Sequence, residues 1–463
     1  MFDLKTYRRR RETLKKNFQS GILLFLGNDE SPMNYPANTY LFRQDSSFLY
    51  YWGLDLPGLA AVIDVDAGRE ILFGNELDAG DIVWTGPKPT AAENAARAGV
   101  DESAPFSDLK GLLEKAVQTG RPVHFLPQYR GENKIKLGNL LEIRPELLNG
   151  HASLDFRKAV IAQRSVKEGQ EVEQIEFALD ITREMHTQAI KMTKPGLFER
   201  EVAGRVEGLA LSRGGRLSFP IIFSVHGETL HNEYHGNRMN PGDLVVHDSG
   251  AEAPSHYAGD ITRTFPVKGK FSAKQREIYQ LVLKTQLAAI DAIRPNVSYR
   301  HIHLLAARVM AAGLKELGLM KGDTDKAVQE GAHALFFPHG LGHMMGLDVH
   351  DMEGLGEDLV GYDEEIQRSD QFGLAYLRLG KRLQPGYVLT VEPGIYFIPE
   401  LIRQWKAAKK FQEFIHYEAV ESYRNFGGIR IEDDVLVTET GHRVLGKPIP
   451  KAVDEVEALM QNG

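Results

Sequence analysis

The sequence predicts an α+β domain over residues 161–463, preceded by a smaller α/β domain over residues 1–160. A chain of 463 residues is long for one domain, so two are expected. Strand-like and helix-like runs alternate near the N-terminus, whereas the later part has long amphipathic helices and separate strand-and-turn segments. That segregation of helices from strands is typical of the α+β class.

Short runs bounded by turn-forming stretches such as GNDES and LDLPG define the first domain. Its strand-like runs are residues 21–26, 60–65 and 71–73, and its helix-like runs are 91–98 and 109–119. Acidic residues on both sides of the arginines at 8–11 predict a solvated helix face rather than a transit peptide. The pattern changes between Arg157 and Gln170, where we expect the domain boundary.

Apolar residues spaced three and four apart predict four long helices in the second domain. They span residues 168–193, 199–213, 273–293 and 299–317. In the first of them Val172, Ile175 and Leu179 share one face, and the sequence KPG ends it. We expect these helices on one side of the sheets and a functional face on the other.

Composition excludes several classes of protein. The net charge of −8 and the pI near 6.1 argue against a nucleic acid or an anionic membrane as partner. The chain has no cysteine, which excludes disulfides, thiolate metal sites and cysteine nucleophiles and agrees with a reducing cytoplasm. No apolar stretch approaches the length of a membrane span, and no secretory h-region follows the N-terminal arginines.

Candidate metal ligands lie in five strings of the second half: DLVVHDSGAE, HYAGDITRTFP, FFPHGLGHMMGLDVHD, LTVEPGIY and FGGIRIEDD. In order, these strings contain Asp248, Asp260, His343, Glu392 and Glu432. Four carboxylates, one imidazole and no sulfur form a ligand set for two divalent cations, favouring Mn, Co, Fe or Zn. The cations would neutralise carboxylates that otherwise repel one another, leaving a bridging hydroxide as the reactive species.

The alternation of side chains along a strand supports a shared site. Each of three strands carries a row of polar residues on one face and apolar residues on the other. The rows are Arg430, Glu432 and Asp434; Thr390 and Glu392; and Asp260, Thr262 and Thr264. One such strand alone would be a sheet edge facing water, whereas several beside a histidine-rich glycine loop favour a site.

Three histidines occur within the twelve residues from His339 to His350, with His343 between them. The glycines between His339 and His343 favour a turn, so the imidazoles can address different partners. We expect at least one of them to bind metal and the cluster to serve catalysis.

These strings resemble the "pita-bread" metallopeptidase family, which contains aminopeptidase P, prolidase and methionine aminopeptidase. Residues 42–53, FRQDSSFLYYWG, resemble the N-terminal domain signature shared by aminopeptidase P and prolidase, so the resemblance covers nearly the whole chain. It implies a pita-bread catalytic domain, two divalent ions per subunit with Mn²⁺ expected and Co, Fe or Zn as alternatives, and a homodimer or homotetramer.

The resemblance also implies how the ligands are shared between the metals. Asp248 holds one metal, Asp260 and Glu432 bridge both, and His343 and Glu392 hold the second. Asp248 and Asp260 are twelve residues apart, one more than is usual in the family, which predicts a hairpin insertion at residues 253–254.

Other residues match catalytic or substrate-binding positions of the family. His339 and His350 match two non-ligand histidines near the bridging water and the substrate carbonyl, and Arg430 matches an arginine that orders the carboxylates. On chemical grounds, Glu392 can shuttle a proton from the bridging water to the leaving nitrogen. His231 falls at the expected spacing for a further histidine, although His226 and His235 lie close enough to leave that choice open. Trp84 is expected to pack in the core or at a helix end, with a reach into a neighbouring subunit's site as the alternative.

The implied activity is hydrolysis of the bond between an N-terminal residue and a following proline, as in an Xaa-Pro aminopeptidase. Prolidase, an Xaa-Pro dipeptidase, is the alternative, because residues 376–386 and the insert at 398–423 look like eukaryotic prolidases. Arg378 matches the prolidase arginine that holds a dipeptide's carboxylate, although a surface salt bridge would also explain it. A non-catalytic binding module of this fold would lack the ligands, and all five are present here.

Overall fold

The structure, a computed structural model, describes residues 2–76 and 79–461. The chain forms two compact units. The first runs to Arg164 and includes the short segment Met352–Gly356, and the second comprises Ser165–Asp351 and the chain from Glu357 onward. Within the described residues, no helix has the length and apolar character needed to span a membrane.

The first unit is built on a five-stranded mixed sheet of order β6-β5-β4-β1-β7, in which β1 and β7, and β5 and β6, run parallel. Its strands are β1 (Ile22–Leu26), β2 (Pro32–Tyr35), β3 (Asn38–Thr39), β4 (Ala60–Asp64), β5 (Arg69–Gly74), β6 (Glu102–Pro105) and β7 (Val123–Phe125). Its helices are α1 (Leu4–Lys15), α2 (Ser46–Trp52), α3 (Ala79–Thr85), α4 (Ala91–Ala98), α5 (Asp108–Gln118), α6 (Gly131–Leu141) and α7 (Leu154–Ser165). Leu24, Val62 and Phe73 from the sheet pack with Leu109 and Leu113 of α5, so the predicted α/β alternation has one continuous core.

Two sequence predictions fail in this unit. Arg10 and Arg11 are only 1% and 0% exposed, so the solvated face predicted for the arginines is wrong for both. The Arg10 guanidinium lies 3.8 Å from the centre of the Tyr50 ring, and Arg11 Nε donates to Glu70 at 2.7 Å. Trp84 is 88% exposed on α3, so the expectation that it packs in the core is also wrong for this chain.

The second unit contains the four predicted long helices, each within two residues of its predicted ends. Its helices are α8 (Gly169–Met192), α9 (Glu199–Ser212), α10 (Ala273–Asp291), α11 (Tyr299–Glu316), α12 (Thr324–Glu330), α13 (Glu357–Gly361), α14 (Pro399–Ala407), α15 (Tyr417–Glu421) and α16 (Val453–Gln461). Ser272 and Ser298 cap α10 and α11 by accepting a hydrogen bond from a first-turn amide, which fixes where each helix begins.

The strands of this unit form small antiparallel sheets. They are β8 (Arg216–Leu217), β9 (Ile222–Ser224), β10 (Leu244–Ser249), β11 (Ala251–Glu252), β12 (Ile261–Pro266), β13 (Val388–Val391), β14 (Gly394–Tyr396), β15 (Gly428–Arg430), β16 (Asp433–Val437) and β17 (His442–Val444). The sheet orders are β12-β10-β9, β13-β16-β17, β14-β15 and β11-β8. Asp248 pairs with Thr262, Thr390 with Asp434, and Gly394 with Arg430, so the registers bring the polar rows together.

Candidate metal centre

All ten site residues predicted from the sequence line one cavity of about 610 Å³ in the second unit. They are His231, Asp248, Asp260, His339, His343, His350, Arg378, Glu392, Arg430 and Glu432. The carboxylates come from strands or strand ends: Asp248 from β10, Asp260 just before β12, Glu392 just after β13, and Glu432 between β15 and β16. A turn closed by the bond from the His256 amide to the Ala253 carbonyl lies between β11 and β12, where the hairpin insertion was predicted.

A glycine lets the histidine loop approach β13 closely enough to place His343. A Cβ at Gly342 would lie 2.0 Å from the Thr390 carbonyl oxygen, so no other residue fits there. The backbone of His343 then bonds to Thr390 in both directions: its amide donates to Thr390 Oγ1 at 3.1 Å, and its carbonyl accepts from the Thr390 amide at 3.0 Å. The loop is thereby fastened to the strand that leads to Glu392.

One ring nitrogen of His343 is hydrogen-bonded to the backbone, and the other, which carries the free lone pair, faces carboxylates. Nδ1 donates to the Met344 carbonyl at 3.0 Å, which leaves Nε2 unprotonated in the neutral ring. Nε2 lies 3.4 Å from Asp260 Oδ2 and 3.7 Å from Glu392 Oε1. Ligand atoms of Asp260, His343 and Glu432 all lie within 4.8 Å of one another. Electron pairs that face each other at these distances favour a cation between them.

The buried carboxylates have oxygens that the protein does not satisfy. Asp248 Oδ1 and Asp260 Oδ1 are buried and accept no hydrogen bond from any residue that the structure describes. Burial, reinforced by nearby carboxylates, raises the pKa of Asp260 and Glu432 well above the ordinary range and that of Glu392 to about 7. The donor set therefore fits divalent cations, which would supply the missing positive charge.

Arg430 orders two of the predicted carboxylate ligands through hydrogen bonds. Its Nη2 donates to Asp248 Oδ2 at 2.5 Å, and its Nε donates to Thr262 Oγ1 at 3.1 Å. The Thr262 hydroxyl in turn donates to Glu432 Oε2 at 2.6 Å. One buried guanidinium thus fixes the orientation of two predicted ligands, one directly and one through a threonine.

The same guanidinium reaches His339 through Tyr396, a residue that the sequence analysis missed. Arg430 Nη1 donates to the Tyr396 hydroxyl at 2.8 Å, and that hydroxyl donates to His339 Nε2 at 3.0 Å. His339 Nδ1 donates to the Gly340 carbonyl at 2.7 Å, and burial lowers the pKa of the ring to about 3. His339 is therefore held as a neutral imidazole. Tyr396 stands in the same LTVEPGIY string as Glu392, which is the signal that could have revealed it.

The structure also distinguishes among the other histidines. His350 packs edge-on against His343, with ring centroids 4.3 Å apart. His231 lines the cavity and is exposed to solvent, and partial desolvation lowers its pKa. His226 Nδ1 instead lies 3.2 Å from Glu228 Oε1, and His235 Nε2 lies 3.0 Å from the Ile221 carbonyl. Of the three residues left open by the sequence, His231 is the one on the cavity wall.

Arg378 combines the two situations expected from the sequence. It lines the cavity, and its Nη1 also donates to Glu357 Oε2 at 2.6 Å with the side chain 31% exposed. The remaining cavity wall is largely apolar, which the ligand strings did not predict. Its apolar members are Phe219, Pro220, Ile222, Leu230, Pro338, Val349, Phe372 and Tyr376, and Glu233 is a further carboxylate on the wall.

Comparisons with known proteins find relatives of both parts of the chain. Residues 173–439 match the model of metallopeptidase family M24, and residues 7–124 match that of the aminopeptidase P N-terminal domain. A human Xaa-Pro dipeptidase is 34% identical over 97% of this chain and 91% of its own length. An Xaa-Pro aminopeptidase of Escherichia coli K12 is 32% identical over 98% of this chain and 97% of its own length.

Solved structures give the same result for the fold. The aminopeptidase PepP of Pseudomonas aeruginosa superposes with a TM-score of 0.82 at 29% identity, covering 100% of this chain and 98% of that one. A zinc-substituted E. coli aminopeptidase P in complex with product gives 0.81 at 31% identity, with 100% and 99% covered. The predicted fold, an α/β domain followed by a pita-bread domain, is confirmed. The chain belongs to metallopeptidase family M24 and is a metal-dependent peptidase.

Proposed function

We propose that this peptidase hydrolyses the bond between an N-terminal residue and a following proline. The observation that carries the proposal is a cavity in which the four predicted carboxylate ligands, His343 and three further histidines share the lining with a largely apolar wall. Such a wall suits a proline ring, and the carboxylates suit metal-assisted hydrolysis. The human and E. coli relatives, although named dipeptidase and aminopeptidase, are both named for an Xaa-Pro bond.

The proposed cofactor is a pair of divalent ions, with Mn²⁺ expected and Co, Fe or Zn as alternatives. Asp248 would hold one ion, Asp260 and Glu432 would hold both, and His343 and Glu392 would hold the other. The unsatisfied oxygens of Asp248 and Asp260 support this assignment. When bound, divalent ions supply Lewis-acid polarisation of a carbonyl and lower the pKa of water.

The protein's own groups would then move protons and orient the substrate. The proline nitrogen must be protonated before it can leave, because an amide anion is a very poor leaving group. Glu392, which lines the cavity among the proposed ligands, is placed to pass that proton to the nitrogen. His350 would steady the polarised carbonyl oxygen, and His231 and His350 would contact the substrate. His339, whose two ring nitrogens already bond to Gly340 and Tyr396, would act by holding Tyr396 in place. Arg430 would act by holding Asp248 in place.

For chain length, we favour an aminopeptidase over a dipeptidase. Arg378 already donates to Glu357, so the carboxylate of a dipeptide would have to compete with that ion pair. The dipeptidase is the second candidate, because the same guanidinium stands on the cavity wall where a substrate carboxylate can reach it.

The test is an assay of the metal-depleted protein after titration with Mn²⁺, using one Xaa-Pro dipeptide, one Xaa-Pro-Yaa tripeptide and the matching Xaa-Ala-Yaa peptide. We expect metal-dependent cleavage of the tripeptide, slower cleavage of the dipeptide and little cleavage without proline. Faster cleavage of the dipeptide would favour the second candidate. Equal rates with alanine and proline would refute the proline specificity.

The domain division, the oligomeric state and the cellular location are also proposed. We propose residues 1–160 and 161–463 as the two domains, and the separate family matches at 7–124 and 173–439 support this division.

A homodimer or homotetramer is proposed because Val83 and Trp84 expose a large apolar surface, and sedimentation equilibrium would test it. Cytoplasmic location is proposed from the absence of cysteine in the sequence, and fractionation of the source cells would test it.

A further inference from the structure

A buried ion pair lies just behind the histidine loop. Lys167 Nζ donates to Asp351 Oδ2 at 2.8 Å, and both side chains are 1% exposed although 184 residues separate them in the sequence. Removing two charges from water is costly, and apolar residues of similar size often stabilise a fold as well or better. Stability alone is therefore a weak explanation for this pair.

Asp351 is bonded to the residue that follows His343. The Met344 carbonyl accepts two hydrogen bonds, from His343 Nδ1 at 3.0 Å and from the Asp351 amide at 2.9 Å. His350, the residue before Asp351, lies edge-on to His343 with ring centroids 4.3 Å apart. The position of Asp351 therefore sets where the His350 ring meets the His343 ring.

The backbone of Lys167 is bonded to a turn of the sheet region, which fixes the position of the lysine. Its amide donates to the Gly386 carbonyl at 2.8 Å, in the turn just before β13. Gly346 leaves room for the pair, because a Cβ there would lie 2.5 Å from Asp351 Oδ2 and 2.9 Å from Lys167 Cε. The Gly346 carbonyl accepts from the Ala258 amide at 2.8 Å, so the loop is also tied to the segment before Asp260.

We propose that Lys167 and Asp351 form a positioning pair that holds His350 in register with the metal-ligand cluster. The pair joins the beginning of α8 to the loop 344–351 and does so within one residue of His350. This inference rests on the proposed function, in which His350 contacts the substrate.

The experiment uses the full-length, Mn²⁺-loaded protein and a double variant, Lys167→Met with Asp351→Leu, which removes both charges and leaves neither one unpaired. On an Xaa-Pro-Yaa tripeptide we expect kcat to fall about 10²-fold, as for a catalytic group displaced by roughly 1 Å. KM and the bound metal should change little. In a His350→Ala background the same double change should cost less than about 3-fold in kcat, because the residue it positions is gone.

Full kcat in the double variant would overturn the inference, and so would an undiminished loss in the His350→Ala background. If the double variant does not fold, Asp351→Glu decides, because it keeps both charges but moves the carboxylate by one methylene group. A positioning pair then predicts a loss of kcat, whereas a purely stabilising pair predicts none. Lys447→Met, which breaks the exposed pair with Asp180, is the matched control and should leave kcat unchanged. Absence of Xaa-Pro cleavage in the unmodified protein would instead refute the proposed function.

Discussion

Removal of the metal ions should make the folding stability of this protein fall as the pH rises from 5.5 to 8. In the folded protein burial raises the pKa of Glu392 to about 7 from an ordinary value of 4.5. The folded state therefore binds this proton more tightly than the unfolded state does. Such a group contributes stability that is fully present below pH 4.5 and is lost as the pH rises through about 7.

The size of the effect follows from that pKa difference. It corresponds to about 3 kcal/mol of unfolding free energy, of which about 2 kcal/mol is lost between pH 5.5 and 8. The raised pKa values of Asp260 and Glu432, which have the same cause, add to the loss with the same sign. Bound cations need deprotonated carboxylates, so the stabilisation conferred by metal should increase over the same pH range.

Urea unfolding in excess chelator and in excess Mn²⁺, at several pH values from 5.5 to 8, would measure both dependences. Glu392→Gln cannot titrate and should remove about 2 kcal/mol of the change seen in chelator. Glu365→Gln is the control, because this exposed carboxylate pairs with Arg382 and its lowered pKa lies below the measured range. Stability that stays level or rises with pH in the chelated protein would refute the reasoning.

Further substitutions separate the roles of the site residues. Asp260→Ala and Glu432→Ala should each abolish activity and remove roughly half or more of the bound metal, since a shared ligand serves both ions; two ions retained by elemental analysis would contradict this. His339→Ala and His350→Ala should keep the metal and lower kcat by about 10²–10⁴, and loss of metal would mean that ligand and non-ligand histidines are interchanged. If Arg378 holds the carboxylate of a dipeptide, as the second candidate requires, Arg378→Ala should lower kcat/KM by roughly 10- to 150-fold for Xaa-Pro dipeptides only; equal losses on tripeptides would refute that contact, and no loss on either would favour the aminopeptidase.

The elements and the predicted ligands could be read from the sequence because their signals are local. The serines immediately before α10 and α11 and the apolar spacing within the two helices fix their ends to within two residues. Asp260 and Glu392 stand at the ends of strands whose alternation separates polar from apolar side chains. Residue types with metal chemistry at strand ends are visible without knowledge of tertiary contacts.

What could not be read from the sequence depends on partners far away along the chain. Arg11 can be buried because its guanidinium donates hydrogen bonds to Glu70 and to the Tyr51 carbonyl, which lie 59 and 40 residues away in the sequence. The pairing of Lys167 with Asp351 spans 184 residues. From sequence alone a charged side chain is expected to be solvated, because the distant acceptor that allows its burial is not visible. Local charge patterns therefore mispredict the exposure of these buried pairs.

The four carboxylates of the site affect folding stability and metal affinity in opposite directions. Their mutual repulsion destabilises the metal-free protein, whereas their negative charge favours metal binding. Arg430 offsets part of their charge by donating to Asp248 directly and to Glu432 through Thr262, but Asp248 and Asp260 each keep an unsatisfied oxygen. Replacement of Asp260, to which Arg430 does not donate, should therefore stabilise the metal-free protein while weakening metal binding, whereas loss of Asp248 would leave the buried Arg430 without its acceptor.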